Sequence, residues 1–456
     1  MFQSQRPETT TKMTEYPLVM PPCGPMQGFR KYSVVKYTGI PYATASRFQI
    51  PEPIKDWSET FQAISPSPAC PQPNDKGSAL IAKVPLLQGL KISEECHHLS
   101  ITVPENTQAG DKLPVMVWVY GGSFATGAGD SPAYDPSKLV AEHQVIVVNI
   151  NYRLNLFGFL GDGRMKPANL GLLDQLEALR WVRRNITAFG GNDDPKTVTF
   201  FGQSAGGSSV ADIMAVPEAS SLFGRAIVQS APFGITRGRD ALNITLLRAA
   251  ESASPEMPAE ELVKLCEKID KAGSGSLPMG GMPFAPQYGH APLPAEADLN
   301  TALDKVAPQI DLLVGSADDE ASLFVPFLPV VGSAIDIPVV GRSIHDLAVS
   351  KVTKLLYHPF DKDFAERHAR AGGKASLYRI HWRNKKNRFG ATHTIELPLL
   401  FGNEEVYGGS KTLEGFTARE VDTAGKQMRK IWADFAKGKQ VDIADAVDGL
   451  ISIERI

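Results

Sequence analysis

Along this chain, short runs of β-branched and aromatic residues alternate with longer stretches in which apolar positions recur every three or four residues. Strands are predicted at residues 115–120 (VMVWVY), 145–151 (VIVVNIN), 198–201 (VTFF), 227–230 (IVQS) and 312–314 (LLV). Several are apolar throughout, as strands covered on both faces are. Between the second and third, residues 170–184 (LGLLDQLEALRWVRR) read as an amphipathic helix, with Gly190 and Gly191 marking its end region. Strands alternating with helical crossovers predict the α/β class, a mostly parallel central sheet flanked by helices. Residues 271–294, with five glycines and five prolines, and the irregular apolar stretch 323–341, with three prolines, read as excursions over the surface.

Composition narrows the picture. The 47 Lys+Arg against 50 Asp+Glu leave a net charge of −3, with both signs mixed along the chain. No basic excess is available for a nucleic-acid partner. With 43% hydrophobic and 21% charged residues the chain belongs among folded globular proteins. Its 456 residues alone would suggest about three domains, but no linker interrupts the pattern, so one domain over 1–456 is expected. Residues 1–20 contain no apolar core of signal-peptide length, and no run near 18 apolar residues appears elsewhere. A cytoplasmic protein without a transmembrane segment is the expectation; secretion after removal of a leader is the alternative. Four cysteines make neither a disulfide scaffold nor a metal finger.

The strongest chemical signal is Gly202-Gln203-Ser204-Ala205-Gly206, directly after the strand predicted at 198–201 and before a stretch able to open a helix. Bare G-x-S-x-G occurs by chance roughly 0.2 times in a chain of this composition; the strand-turn-helix frame makes it informative. So sharp a turn demands small flanking residues and lifts the serine hydroxyl above the sheet. Because a serine hydroxyl is a poor nucleophile at neutral pH, a histidine and an orienting carboxylate are expected downstream. Glu320 is chosen as the acid because it follows the strand predicted at 312–314; Asp318 and Asp319 compete with it on chemistry alone. Of the five later histidines, His345, His358, His368 and His381 sit in helical or strand-end surroundings. His393 instead follows Phe389-Gly390-Ala391-Thr392, small residues that let an imidazole lie against a neighbouring loop. Gly121-Gly122-Ser123, at the end of the strand predicted at 115–120, and Ala205 after the serine offer backbone N–H groups for an oxyanion.

Taken in order, these motifs resemble the type-B carboxylesterase/lipase family. The matching pieces run from Gly39-Ile40-Pro41-Tyr42-Ala43 through Ser93-Glu94-Glu95-Cys96, Gly121-Gly122-Ser123-Phe124 and Asn151-Tyr152-Arg153-Leu154. They continue with residues 169–175 (NLGLLDQ), Phe189-Gly190-Gly191, residues 201–207 (FGQSAGG), His393-Thr394-Ile395-Glu396-Leu397 and Trp432-Ala433-Asp434-Phe435-Ala436. The resemblance implies an α/β-hydrolase fold and hydrolysis of small-molecule carboxylic esters with no metal or organic cofactor. It implies Ser204 as nucleophile, Glu320 as triad acid, His393 as base, and Gly122, Ser123 and Ala205 as oxyanion donors. It further implies a Cys70–Cys96 disulfide closing a lid-like loop at 71–95, and cleft-forming excursions at 271–294 and 323–370. Such a loop closure contributes about 3 kcal/mol if oxidised.

The chain departs from the family at Ser123, often Gly or Ala in relatives, and at Tyr120, where other esterases commonly carry His. It is also shorter than typical members between Ser230 and His393. Residues 71–95 contain no aromatic side chain, which argues against a cholinesterase-type cage for a quaternary ammonium. A lipase, or a lactonase or transacylase for a specialised metabolite, would use the same triad. Adhesion-type family members that act only by binding have lost the nucleophile, which this chain retains. The glycosylation sequons at Asn185 and Asn243 are expected to be coincidental.

Overall fold

The computed structural model describes residues 16–74, 77–164, 166–273, 281–325 and 341–456. Its centre is a ten-stranded sheet. In chain order the strands are β1 (Phe29–Lys31), β2 (Val34–Pro41), β3 (His98–Pro104), β4 (Val115–Val119), β5 (Ile146–Ile150), β6 (Val198–Gln203), β7 (Arg225–Gln229), β8 (Asp311–Ala317), β9 (Ala375–Ile380) and β10 (Ile451–Arg455). In space they run β10-β9-β8-β7-β6-β4-β5-β3-β2-β1. Six neighbours, β5-β4-β6-β7-β8-β9, are parallel, and both flanks are closed by antiparallel strands. β4, β5 and β6 are buried along their whole length. That is why they read as unbroken apolar runs.

The flanking strands escape that signature for a physical reason. β3 places Ser100 and Thr102 in the interior, and the Ser100 hydroxyl donates to Asp130 at 2.7 Å. β10 alternates buried and exposed positions at the sheet edge. Helix α1 (Leu170–Asn185) buries Leu172, Leu176, Leu179 and Val182 against the sheet. On the same helix the fully buried Asp174 accepts from the Arg153 guanidinium at 2.7 and 2.9 Å, so its charge is opposed rather than stranded. Asn185 and Asn243 are both buried.

The chain order reverses around β4: β5 lies on one side of it and β6 on the other. In open α/β sheets a crevice forms at such a point, beyond the carboxyl ends of the strands. Gly121-Gly122 leaves β4 here and Ser204 leaves β6, with Gly202 paired to Val119. The site expected from sequence therefore sits where the topology leaves room for a ligand.

Candidate active site

Ser204 occupies the turn between β6 and helix α2 (Ala205–Met214) at φ 58°, ψ −124°. This is a costly conformation for a residue with a Cβ. It is held by the Ser204 N–H donating to the Gln229 carbonyl of β7 at 2.8 Å and by the first helical bond, Ser208 N–H to Ser204 C=O at 2.9 Å. The glycine frame is a matter of space: a Cβ on Gly206 would lie 2.1 Å from the Val119 carbonyl, and one on Gly202 2.6 Å from the Gly206 backbone. Across the crevice, Gly122, Ser123 and Phe124 all take positive φ (113°, 55° and 58°). The Gly122 carbonyl is turned back to accept from Ala125 and Thr126 N–H. The N–H groups of Gly122, Ser123 and Ala205 have no acceptor among the described residues, and Ala205 opens a helix whose first donors are unpaired by construction.

Glu320 follows β8 and is fully buried. One carboxylate oxygen accepts from the Ser230 hydroxyl at 2.6 Å and from Ala317 N–H at 2.7 Å; the other meets His393 Nδ1. Burial, the largest influence, pushes its pKa up, but the His393 charge and these hydrogen bonds together hold it below the ordinary carboxylate value. The rival acids are used elsewhere. Asp318 meets His381 at 2.9 Å and also pairs with Arg383. Asp319 accepts from Ala391 N–H at 2.9 Å. The other histidines are occupied too, His358 with the Ala317 carbonyl and His368 with that of Ile310. The small residues before His393 do what their size allows: a Cβ on Gly390 would fall 2.2 Å from the Asp319 carboxylate.

His393 is 2% exposed and packs against the Phe324 and Tyr357 rings at 5.0 and 5.8 Å. Its Nε2 lies 3.2 Å from the Gln203 amide nitrogen. An amide nitrogen can only donate, so Nε2 is the acceptor and the ring proton sits on Nδ1, toward Glu320. Ser204 and His393 line one cavity of about 500 Å³, with no hydrogen bond between them among the described residues. Such bonds commonly tighten only when substrate is bound.

Sequence reasoning missed three residues here. Gln203 was read only as the variable position of its motif. Ser230, at φ 49°, stands 2.6 Å from Glu320 and 3.0 Å from the carboxyl of Glu396, also fully buried. One hydroxyl carries one proton and cannot donate to both, so one carboxyl must itself donate to Ser230. Glu320 has the shorter contact, an additional N–H and the imidazole; Glu396 has one oxygen with no partner. Glu396 is therefore the neutral acid. Its pKa is pushed up to about 7 by burial first and by the Glu320 charge second. Its position in the quoted motif, three residues after His393, was the available signal.

The walls come from the segments expected to form them. Residues 71–95 supply Pro73, Ile81 and Leu86, residues 271–294 supply Phe284, and residues 323–370 supply Phe324. Residues 75–76, 274–280 and 326–340 of these segments lie outside the described residues. Cys70 and Cys96 lie side by side as buried thiols in hydrogen-bond contact. That contact, with burial, holds the Cys96 thiol well above its usual pKa. Tyr120 stacks on Tyr152 at 4.6 Å and donates to its carbonyl, away from the cavity.

A strained serine on a strand-to-helix turn, opposite backbone N–H groups and beside a His–Glu pair, is the arrangement expected at the sheet's carboxyl end in an α/β-hydrolase fold. Comparison with known proteins gives the family. The profile of the Carboxylesterase family matches residues 15–337. The para-nitrobenzyl esterase of Bacillus subtilis is 34% identical, over 91% of this chain and 88% of its own. A protein of Rhodococcus erythropolis described as a probable N-octanoylanthranilate hydrolase is also 34% identical, over 91% and 92%. Among solved structures, a thermophilic para-nitrobenzyl esterase superposes with a TM-score of 0.78 at 30% identity, over 96% of this chain and 98% of that one. The chain belongs to the carboxylesterase family and is a carboxylic-ester hydrolase. No helix among the described residues is long and apolar enough to cross a membrane.

Proposed function

We propose that Ser204 is the nucleophile, His393 the base and Glu320 the orienting acid of an acyl-transfer cycle. The observation that carries this reading is the meeting of buried His393 with buried Glu320 beside the strained Ser204 turn. His393 Nε2 takes the Ser204 proton as the hydroxyl attacks the ester carbonyl, while Glu320 stabilises the imidazolium. The Gln203 amide has to yield Nε2 to the serine at that moment. The N–H groups of Gly122, Ser123 and Ala205 receive the oxyanion. His393 then protonates the departing alcohol, and the same base activates water to release the acid from the acyl-enzyme.

The substrate is read as an uncharged ester with an aryl or benzyl group and a short acyl chain. Support comes from the volume of about 500 Å³ and from Leu86, Phe284, Phe324 and Leu397, which line it together with Glu267, Asp270 and Lys271; the nitrobenzyl esterase relatives agree with an aryl or benzyl group. Turnover should fall as the acyl chain lengthens. A lipase-like rise with chain length and interfacial activation would replace this substrate reading. The test of the mechanism is Ser204→Ala assayed with a short-chain aryl ester: a folded variant without acyl-transfer turnover is expected, and wild-type turnover contradicts the mechanism.

A further inference from the structure

Behind the paired loops that carry Glu320 and His393 lies a second cavity, of about 860 Å³, larger than the one above Ser204. One wall is the loop after β9. That loop is pinned in place: Trp382 stacks on Phe416 at 3.8 Å, the Asn384 amide donates to the Gly415 carbonyl at 2.7 Å, and the Asn387 amide reaches the carbonyls of Lys411, Thr412 and Glu414 at 3.1, 2.9 and 3.1 Å. Its asparagines face inward, leaving Lys385, Lys386 and Arg388 exposed on the cavity wall; Lys354 joins them from helix α3 (Gly341–Leu356).

The charges around this space do not cancel. Asp318 and Asp319 share the single guanidinium of Arg383, and Asp346 lies 3.1 Å from the His345 ring, so Asp346 keeps its negative charge on the rim. None of Lys354, Lys385, Lys386 and Arg388 has a carboxylate partner among the described residues. Around the cavity Lys354, Arg383, Lys385, Lys386 and Arg388 outnumber Asp318, Asp319 and Asp346, five cations to three carboxylates, which leaves the space net positive, and lysine point charges combined with an arginine fork suit phosphate oxygens. We infer that this cavity binds a small soluble anion carrying two or more phosphate groups, held by Lys354, Lys385, Lys386 and Arg388.

The floor of the cavity gives such a ligand a route to the reaction, and this part rests on the triad assignment proposed above. Asp319 accepts from Ala391 N–H and donates its own N–H to the Ala391 carbonyl, both at 2.9 Å. The Ser322 hydroxyl bonds the Phe389 carbonyl at 2.6 Å and Thr392 at 2.7 Å. Asp319 and Ser322 line the cavity and stitch the Glu320 loop to the His393 loop. A polyanion drawing Arg383 away from Asp319 would alter that stitch.

The probe is inorganic pyrophosphate, titrated into the full chain by calorimetry, with sodium sulfate at equal ionic strength as control. Saturable binding is expected, weakened at least tenfold in Lys385→Ala/Lys386→Ala, whose exposed side chains make no contact the fold needs. Absence of saturable binding, equal binding by sulfate or equal binding by the double variant overturns the site. So does co-sedimentation with phosphatidylglycerol vesicles without a pyrophosphate response, which would make the wall a lipid-headgroup surface. With pyrophosphate saturating, kcat on an aryl ester should change at least twofold in the wild type and not in the double variant. Binding with unchanged kcat would overturn the coupling alone, and loss of esterase activity in Ser204→Ala with pyrophosphate binding intact separates the site from the triad.

Discussion

The floor and the walls of the ester cavity are built from different materials. Ser204, Glu320 and the Gly121-Gly122 turn stand beyond the ends of the parallel strands β6, β8 and β4, and Glu320, His393, Ser230 and Glu396 are all buried. The walls instead come from side chains of three separate segments, Pro73, Ile81 and Leu86 from 71–95, Phe284 from 271–294 and Phe324 from 323–370. The floor is overdetermined: sheet pairing, glycine contacts and a carboxylate network each fix the same few atoms. The apolar wall side chains have no polar group with which to join that network. Chemistry should therefore be intolerant of change in the floor, and substrate range should follow the walls.

The hardest blow to the floor short of removing Ser204 is Glu320→Gln, which keeps the shape but loses the charge that sets the His393 tautomer. A fall in kcat of about 10⁴ is expected with little change in KM; a loss below tenfold would show that Glu320 does not orient the base. Gly206→Ala forces a Cβ into the Val119 carbonyl and moves the Ser204 turn, so activity should drop about 10²-fold together with the melting temperature. Retained activity would mean the turn can relax.

Gln203→Glu tests the neighbour of His393 Nε2. A new carboxylate there favours the imidazolium, so the acid limb of the kcat/KM profile should move up by about one pH unit or more. An unmoved limb would place Gln203 outside the working site. On the wall side, Leu86→Ala, which lines the cavity away from His393, should widen the acyl-length profile and raise KM several-fold while leaving kcat for the smallest ester within about threefold; a kcat collapse would erase the distinction between floor and walls.

The smallest effect concerns stability. Glu396 has its folded pKa raised from 4.5 to about 7, so between those values the folded state holds a proton that the unfolded chain gives up. Wild-type stability should therefore fall, relative to Glu396→Gln, as pH rises from 4.5 towards 7, and the difference should level off above 7. Urea midpoints of the two proteins across this range measure it. A constant difference would mean that Glu396 is ionised throughout.

What was legible in the sequence follows the same division. Strands β4 to β8 and helix α1 announced themselves because burial on both faces leaves apolar runs, and helical packing leaves a three-four period. Strands β3 and β10 did not, because satisfied interior hydroxyls and edge exposure mix polar residues into them. Ser204 was legible through the glycines its turn requires. Glu320 could not be separated from Asp318 and Asp319 on local grounds, since only the fold decides which carboxylate meets His393. Ser230 and Glu396 were invisible as a pair because their relation spans 166 positions of the chain. The cationic residues behind the Glu320 and His393 loops were spread in the same way over residues 354–388.

The central claim is that Ser204 alone carries the acyl group. Incubation with an organophosphate, followed by intact mass and peptide mapping, tests it most directly. One phosphoryl adduct per chain, on the peptide containing Ser204 and appearing in step with loss of esterase activity, is the predicted result. Full inactivation with the adduct on another residue, or no adduct on a protein that hydrolyses esters, would contradict it.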